Sequence, residues 1–259
     1  MKMNRFLFTT IVAILVSLCQ VAMAANMALK LEGDPESFFE APDNPTFDTD
    51  IADLTVEAWV NPADNVGERM ILNKEDVYEI AIVDGIFKTA IRTVDKGWDW
   101  ISSNGNVPAG TWTHVAVTYD REKTRLYING KFLAESDGWK GKVYDSPDTF
   151  KVGRRTRGGD THSIYKGLTD EVRISKVVRY TADFAVPTKP FEPDNDTVAL
   201  YHFDEADGTV VKDASKNGNH GNLMKDAVLV PADTPIEYPV TAVQAAGKLA
   251  ITWGKMKSE

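Results

Sequence analysis

Leu54-Thr-Val-Glu-Ala-Trp-Val-Asn-Pro62 decides the class of fold. Alternation in an extended chain places Val56, Ala58 and Val60 on one side and Thr55, Glu57 and Trp59 on the other. Neither side is adapted to water, so the segment reads as a strand packed between two layers. Trp112-Thr-His-Val-Ala-Val-Thr-Tyr119 repeats the pattern, with Trp112, His114, Ala116 and Thr118 opposing Thr113, Val115, Val117 and Tyr119. Trp59 and Trp112 are expected to fill the core of such a structure.

Outward from these two segments, short runs rich in Val, Ile, Tyr, Phe and Trp alternate with Gly, Asn, Asp and Pro. Strands are predicted over 28–31, 54–61, 70–73, 78–83, 87–93, 112–119, 124–128, 131–137, 150–152, 167–175 and 197–203. Asp84-Gly85 and Asn129-Gly130 fall between strand-like runs and suit two-residue hairpins whose central residues need positive φ. No stretch long enough for a major helix keeps a helical period. The expectation is an all-β, two-sheet antiparallel β-sandwich of the jelly-roll kind.

The first 24 residues set the compartment. Lys2 and Arg5 precede an apolar run from Phe6 to Leu18, and Ala22-Met-Ala24 is a small-x-small cleavage site, the pattern of a secretory signal peptide. The run is shorter than the roughly 20 residues a bilayer-spanning helix needs. The expected product is secreted, periplasmic or at the cell surface, without membrane insertion after cleavage. Cys19, the single cysteine, lies inside the segment that is removed, so the mature chain carries no disulfide and relies on its core. Removing Lys2 and Arg5 leaves 27 of the 29 basic residues against 38 acidic ones and takes the net charge from −9 to −11. Nucleic acid and anionic membrane are poor partners for such a surface. The sandwich is expected over 26–232, and the proline-interrupted segment 233–259 reads as a tail with a possible terminal hairpin.

Four segments together resemble the bacterial laminin G-like jelly-roll domains of the concanavalin A-like lectin/glucanase superfamily. They are the 54–62 stretch, Trp112 to Asp120 continuing through Thr124-Arg-Leu-Tyr-Ile-Asn-Gly-Lys131, Gly167-Leu-Thr-Asp-Glu-Val-Arg-Ile174, and Ala199-Leu-Tyr-His-Phe-Asp-Glu205 running on to Asp213-Ala-Ser-Lys-Asn-Gly-Asn-His-Gly221. The resemblance implies a concanavalin A-like fold and an extracellular partner, either a glycan or a protein. In many members the segment resembling Tyr201 to Gly221 opens the domain, whereas here it closes it, as after a permuted boundary or in a second unit cut short.

Asp213-x-Ser215-x-Asn217-Gly218 offers oxygen side chains at alternate positions, which suits a hard cation. It is no EF-hand, because Met224 stands where that loop requires a glutamate. The resemblance implies Asp170 or Glu171 as the further carboxylate of a structural calcium site, and the competing reading is a turn closed by its own side chains. For carbohydrate, Trp98 and Trp100 share a face if extended, Trp139 and Tyr144 come from a glycine-containing loop, and Arg154, Arg155 and Arg157 from another. Aromatic faces with such donors suit sugar rings.

Catalysis is not expected. Glycoside hydrolysis needs two convergent carboxyls, and Asp170-Glu171 and Glu75-Asp76 are adjacent pairs that should point to opposite faces. His114 and His202 have no serine, cysteine or second histidine at a catalytic or zinc-binding spacing and read as structural. A glycoside hydrolase or lyase of the same fold, and a purely structural surface-layer spacer, are the competing classes. Convergent acids in a groove would favour the first.

Overall fold

The alternation seen in the sequence is realised as two antiparallel sheets packed face to face. The computed structural model describes residues 26–48, 51–155, 163–205 and 208–238. Sixteen strands occur among them: β1 (Met27–Glu32), β2 (Phe38–Ala41), β3 (Leu54–Pro62), β4 (Glu68–Lys74), β5 (Tyr78–Val83), β6 (Ile86–Thr93), β7 (Gly97–Asn106), β8 (Thr113–Tyr119), β9 (Thr124–Ile128), β10 (Lys131–Ser136), β11 (Phe150–Val152), β12 (Lys166–Ser175), β13 (Thr197–Tyr201), β14 (Val210–Val211), β15 (Gly221–Met224) and β16 (Val228–Pro231). Sheet A runs β10-β9-β8-β3-β12-β1-β16, with β13 also paired to β12, and sheet B runs β14-β15-β2-β11-β4-β5-β6-β7. No described helix is long and apolar enough to cross a membrane.

The inner faces form one core. Val56, Ala58 and Val60 of β3 with Val115, Val117 and Tyr119 of β8 belong to the same buried cluster as Leu72, Ile80, Ile82, Phe87 and Ile91 of sheet B. Each of the Val, Leu, Ile and Phe side chains among them contributes about 1.5–3 kcal/mol through burial. Aromatic contacts knit its far end, with Phe39 edge-on to Tyr201 at 4.7 Å and Phe47 stacked on Phe150 at 5.4 Å. Both expected hairpin turns form: Asp84 and Gly85 have φ of 50° and 83°, and Asn129 and Gly130 have 47° and 72°.

The outer face of sheet A is also covered. The segment from Lys176 to Asp196, which holds no strand, crosses it as a strap. Phe184 stacks on Tyr180 at 3.5 Å, and both Phe184 and Phe191 lie edge-on to His114. Beneath the strap Glu57 receives Nε and Nη2 of Arg173 at 2.9 and 2.7 Å and the hydroxyl of Tyr180 at 2.9 Å. This explains why Thr55, Glu57 and Trp59 lack a solvent-adapted pattern.

Some expectations need correction. Trp112 lies outside β8 and is half-buried, its indole N–H donating to Asp233 at 2.9 Å, so it does not fill the core. β2, β7, β14, β15 and β16 extend the predicted set. The 201–221 segment is part of the same sandwich, with β13 on β12 and β15 on β2. β1 pairs with β16, so the first and last of the described strands lie side by side. Residues beyond 232 continue to dock: Thr234 donates to Asp170 at 2.6 Å and Tyr238 to Asp204 at 2.9 Å. The expected signal peptide and the terminal hairpin after 239 lie outside the described residues.

Candidate functional site

With sheet A strapped over, the outer face of sheet B is the place where functional side chains gather. One cross-strand row there reads Glu40, Lys151, Asn73, Glu79, Ala90, Trp100, and the rows beside it contain the pairs Arg92–Trp98 and Lys88–Ser102. These residues point outward because Tyr78, Ile80, Ile82, Phe87 and Ile91 take the opposite, core-facing positions. Trp98 and Trp100 are both half-buried and meet edge to face at 6.0 Å. The small Ala90 lies between Trp100 and Glu79 in the row, so aromatic and polar groups border a position with little bulk.

Beside the tryptophans lies a polar cluster. Asn73 donates through Nδ2 to Glu79 Oε1 at 2.6 Å and to Glu75 Oε2 at 3.3 Å. Arg155 reaches in from the loop after β11, with Nε 3.1 Å from Glu79 Oε1 and Nη2 3.5 Å from Glu75 Oε1. Its guanidinium lies 5.8 Å from the Trp98 ring. Glu79 Oε2, Asn73 Oδ1 and Arg155 Nε are buried without a hydrogen-bond partner. Burial, reinforced by the charges of Glu75 and Glu68, raises the Glu79 carboxyl to about 8 against the pull of Arg155. Burial also raises Glu75. At neutral pH Glu79 therefore carries its proton.

The structure brings together three of the five residues expected to contact a ligand, Trp98, Trp100 and Arg155. The other two are placed elsewhere. Trp139 is 1 % exposed and belongs to the core cluster, with Lys96 over its ring. Arg154 donates to the Pro35 carbonyl and lies over Phe38, which fastens its loop. Tyr144 takes the guanidinium of Arg92 at 3.7 Å. Arg157 lies outside the described residues. Asn73, Glu79 and Lys88 were missed, although a glutamate within Tyr-Glu-Ile-Ala-Ile-Val was itself a signal that the outer face is not plain solvent surface.

The two halves of the expected calcium set belong to different clusters. Asp213 Oδ1 accepts from the amides of Leu200 and Ser215 at 3.0 and 2.8 Å, and Oδ2 from the Asn219 amide and the Ser215 hydroxyl at 2.8 and 2.7 Å. Asn217 donates to the carbonyls of Thr197 and Val198. Asp170 and Glu171 instead meet Asp204 and His202. A β-bulge in β12, where Glu171 takes φ 50°, brings the two consecutive carboxylates into one cluster, so they do not splay to opposite faces as expected. Glu171 accepts from the Phe191 amide at 2.7 Å and lies 2.5 Å from His202 Nδ1. With these oxygens directed at N–H and O–H donors, the five residues as arranged do not fit a calcium ion. Among the described residues no group of three or more His, Cys, Asp or Glu is placed to hold a metal.

A laminin G-type family model, described as Concanavalin A-like lectin/glucanases superfamily, matches residues 34–183. No curated protein matches. A Bacteroides ovatus protein whose carbohydrate binding is itself inferred is similar in structure with a TM-score of 0.65 and 21% identity, over 82% of this chain and 62% of its own. The chain thus spans less than two thirds of that relative. A heptameric SAP-like pentraxin from Limulus polyphemus gives 0.46 at 12% identity, covering 61% of this chain and 79% of its own. The CBM40 of a Ruminococcus gnavus IT-sialidase, bound to α2,3 sialyllactose, gives 0.47 at 14%, covering 59% and 91%.

Proposed function

The chain belongs to the laminin G-type family of the concanavalin A-like lectin/glucanase superfamily, and from that membership we propose that it is a non-catalytic binding module whose ligand is a glycan held on the outer face of sheet B. The observation that carries this reading is the pairing of Trp98 and Trp100 on that face beside buried polar groups with unspent hydrogen-bonding atoms. Aromatic faces take the apolar side of a sugar ring while fixed polar groups select its hydroxyls. The amino-terminal apolar run and its small-x-small site support a role outside the cytoplasm.

The test is a glycan array with the chain from residue 25 onward, followed by titration calorimetry with Trp98→Ala and Trp100→Ala. Affinity lost by tenfold or more in both variants, with melting temperature kept, supports the reading. A glycan bound equally by both variants places the site elsewhere.

Hydrolysis is a second reading with one observation in its favour: Glu75 and Glu79 converge on the Asn73 amide. Against it, Glu79 is fully buried and Arg155 lies against both carboxyls, which leaves no room for a glycosidic oxygen. Incubation of the bound glycan with the protein distinguishes the two, since a binding module releases no reducing ends.

A further inference from the structure

Building on the glycan-binding reading, we infer that the sugar recognised on this face is acidic, with Arg155 as the reader of its carboxylate and Lys88 as a second cation.

Arg155 uses its fork less fully than four of the other arginines and, unlike Arg154, whose Nε is also unpaired, it lies beside Trp98. Arg69, Arg173 and Arg179 each place two nitrogens on one carboxylate at 2.7–3.0 Å, and Arg125 divides its fork between Asp120 and Glu135 at 2.8 Å. Among the described residues Arg155 makes a single hydrogen bond, at 3.5 Å, and its Nε has none. A planar guanidinium with unspent donors is suited to grip a carboxylate with two parallel bonds. Of the two acids beside it, Glu79 is raised to about 8 by burial and Glu75 is held only at 3.5 Å, so neither grips the guanidinium as a bidentate partner.

Lys88 strengthens the case independently. It shares the outer face with Ala90 and Trp100, its cross-strand neighbours Ala81 and Ser102 are small, and it has no ion pair among the described residues. The chain as a whole carries a charge of −9, so an unpaired lysine and an underused arginine on the face with Trp98 and Trp100 run against its general character. A ring stacked on the tryptophans would bring its carboxylate towards these cations.

The probes are oligogalacturonate, oligomannuronate, a hyaluronan hexasaccharide and 3′-sialyllactose, each beside its neutral counterpart, the carboxyl methyl ester or lactose. The expected result is that an acidic probe binds at least tenfold more tightly than its neutral counterpart. Arg155→Gln should remove that preference, Arg155→Lys should restore only part of it, and Lys88→Gln should weaken binding severalfold, all with unchanged melting temperature. Equal binding of acidic and neutral forms that Trp98→Ala abolishes overturns the acidic-sugar inference and leaves the glycan platform standing. An acidic preference untouched by Arg155→Gln and Lys88→Gln overturns the assignment of these residues. Retention of no glycan of either kind overturns the glycan reading itself.

Discussion

Glu57 and His114 lie on neighbouring strands with the imidazole Nε2 3.2 Å from the carboxylate, and neither side chain has any solvent exposure. Arg173 holds the other oxygen of Glu57 from the next strand. Burial opposes the carboxylate's charge, but the bonds from His114 and Arg173 outweigh it and keep its acidity high. Glu57→Ala strands a buried guanidinium, and the expected loss is about 3–5 kcal/mol. Glu57→Gln, which keeps the volume, should lose less. Urea unfolding of both variants checks the order.

Glu79 makes the stability depend on pH in an identifiable window. Its folded pKa, about 8, lies above the ordinary carboxylate value, so between about pH 4.5 and 8 the folded state binds more protons than the unfolded chain. Stability from this group is therefore highest at low pH and falls as pH rises, by up to about 1.4 kcal/mol per pH unit. Glu75, Glu68, Asn73 and Arg155 face it, and Glu79→Gln leaves them in place while removing the titration. The melting temperature of Glu79→Gln relative to the parent should climb steadily from pH 5 to pH 8.

The Asp213 loop is closed by its own hydrogen bonds, four of which converge on that carboxylate. Melting curves in calcium and in chelator are expected to coincide. Asp213→Ala should lower stability by about 3 kcal/mol in both, because buried amides lose their acceptor. A calcium-dependent rise that Asp213→Ala abolishes would restore the ion to this loop.

Gly130 joins the β9–β10 turn to the strap, since its carbonyl accepts from the Phe184 amide at 2.8 Å. A Cβ at this position would lie 2.1 Å from the Phe184 carbonyl oxygen, and φ of 72° disfavours any side chain. Gly130→Ala should therefore cost more than the ~1 kcal/mol of backbone strain alone, and amide hydrogen exchange should rise around Tyr180 and Phe184.

The sandwich was legible because period-two alternation and Asn-Gly or Asp-Gly turns are local signals, and 54–62 with 112–119 carried both. β2, β14, β15 and β16 were not, since strands of two to four residues are too short to show an alternation and exist only through their partners. The Trp98–Trp100 pair was legible from spacing alone, whereas Trp139 could not be told from it by composition; only packing put one outside and the other in the core. The adjacency rule that sets Glu75 and Asp76 on opposite faces held no information about Glu79. That residue returns to Glu75 through the β4–β5 turn and is drawn in by Asn73, a partner visible only once the strands are registered.

The strap over sheet A has an evolutionary consequence. Substitutions on that side must preserve a packed interior around Glu57, His114 and Arg173, so most of them are purged for stability. On sheet B, Lys88, Arg92, Trp98, Trp100 and Ser102 stand on the two outermost strands of the β7 edge, where exchanges leave the interior untouched. A lineage could thus change what it recognises by altering β6 and β7 alone, while the rest of the molecule stays fixed as scaffold.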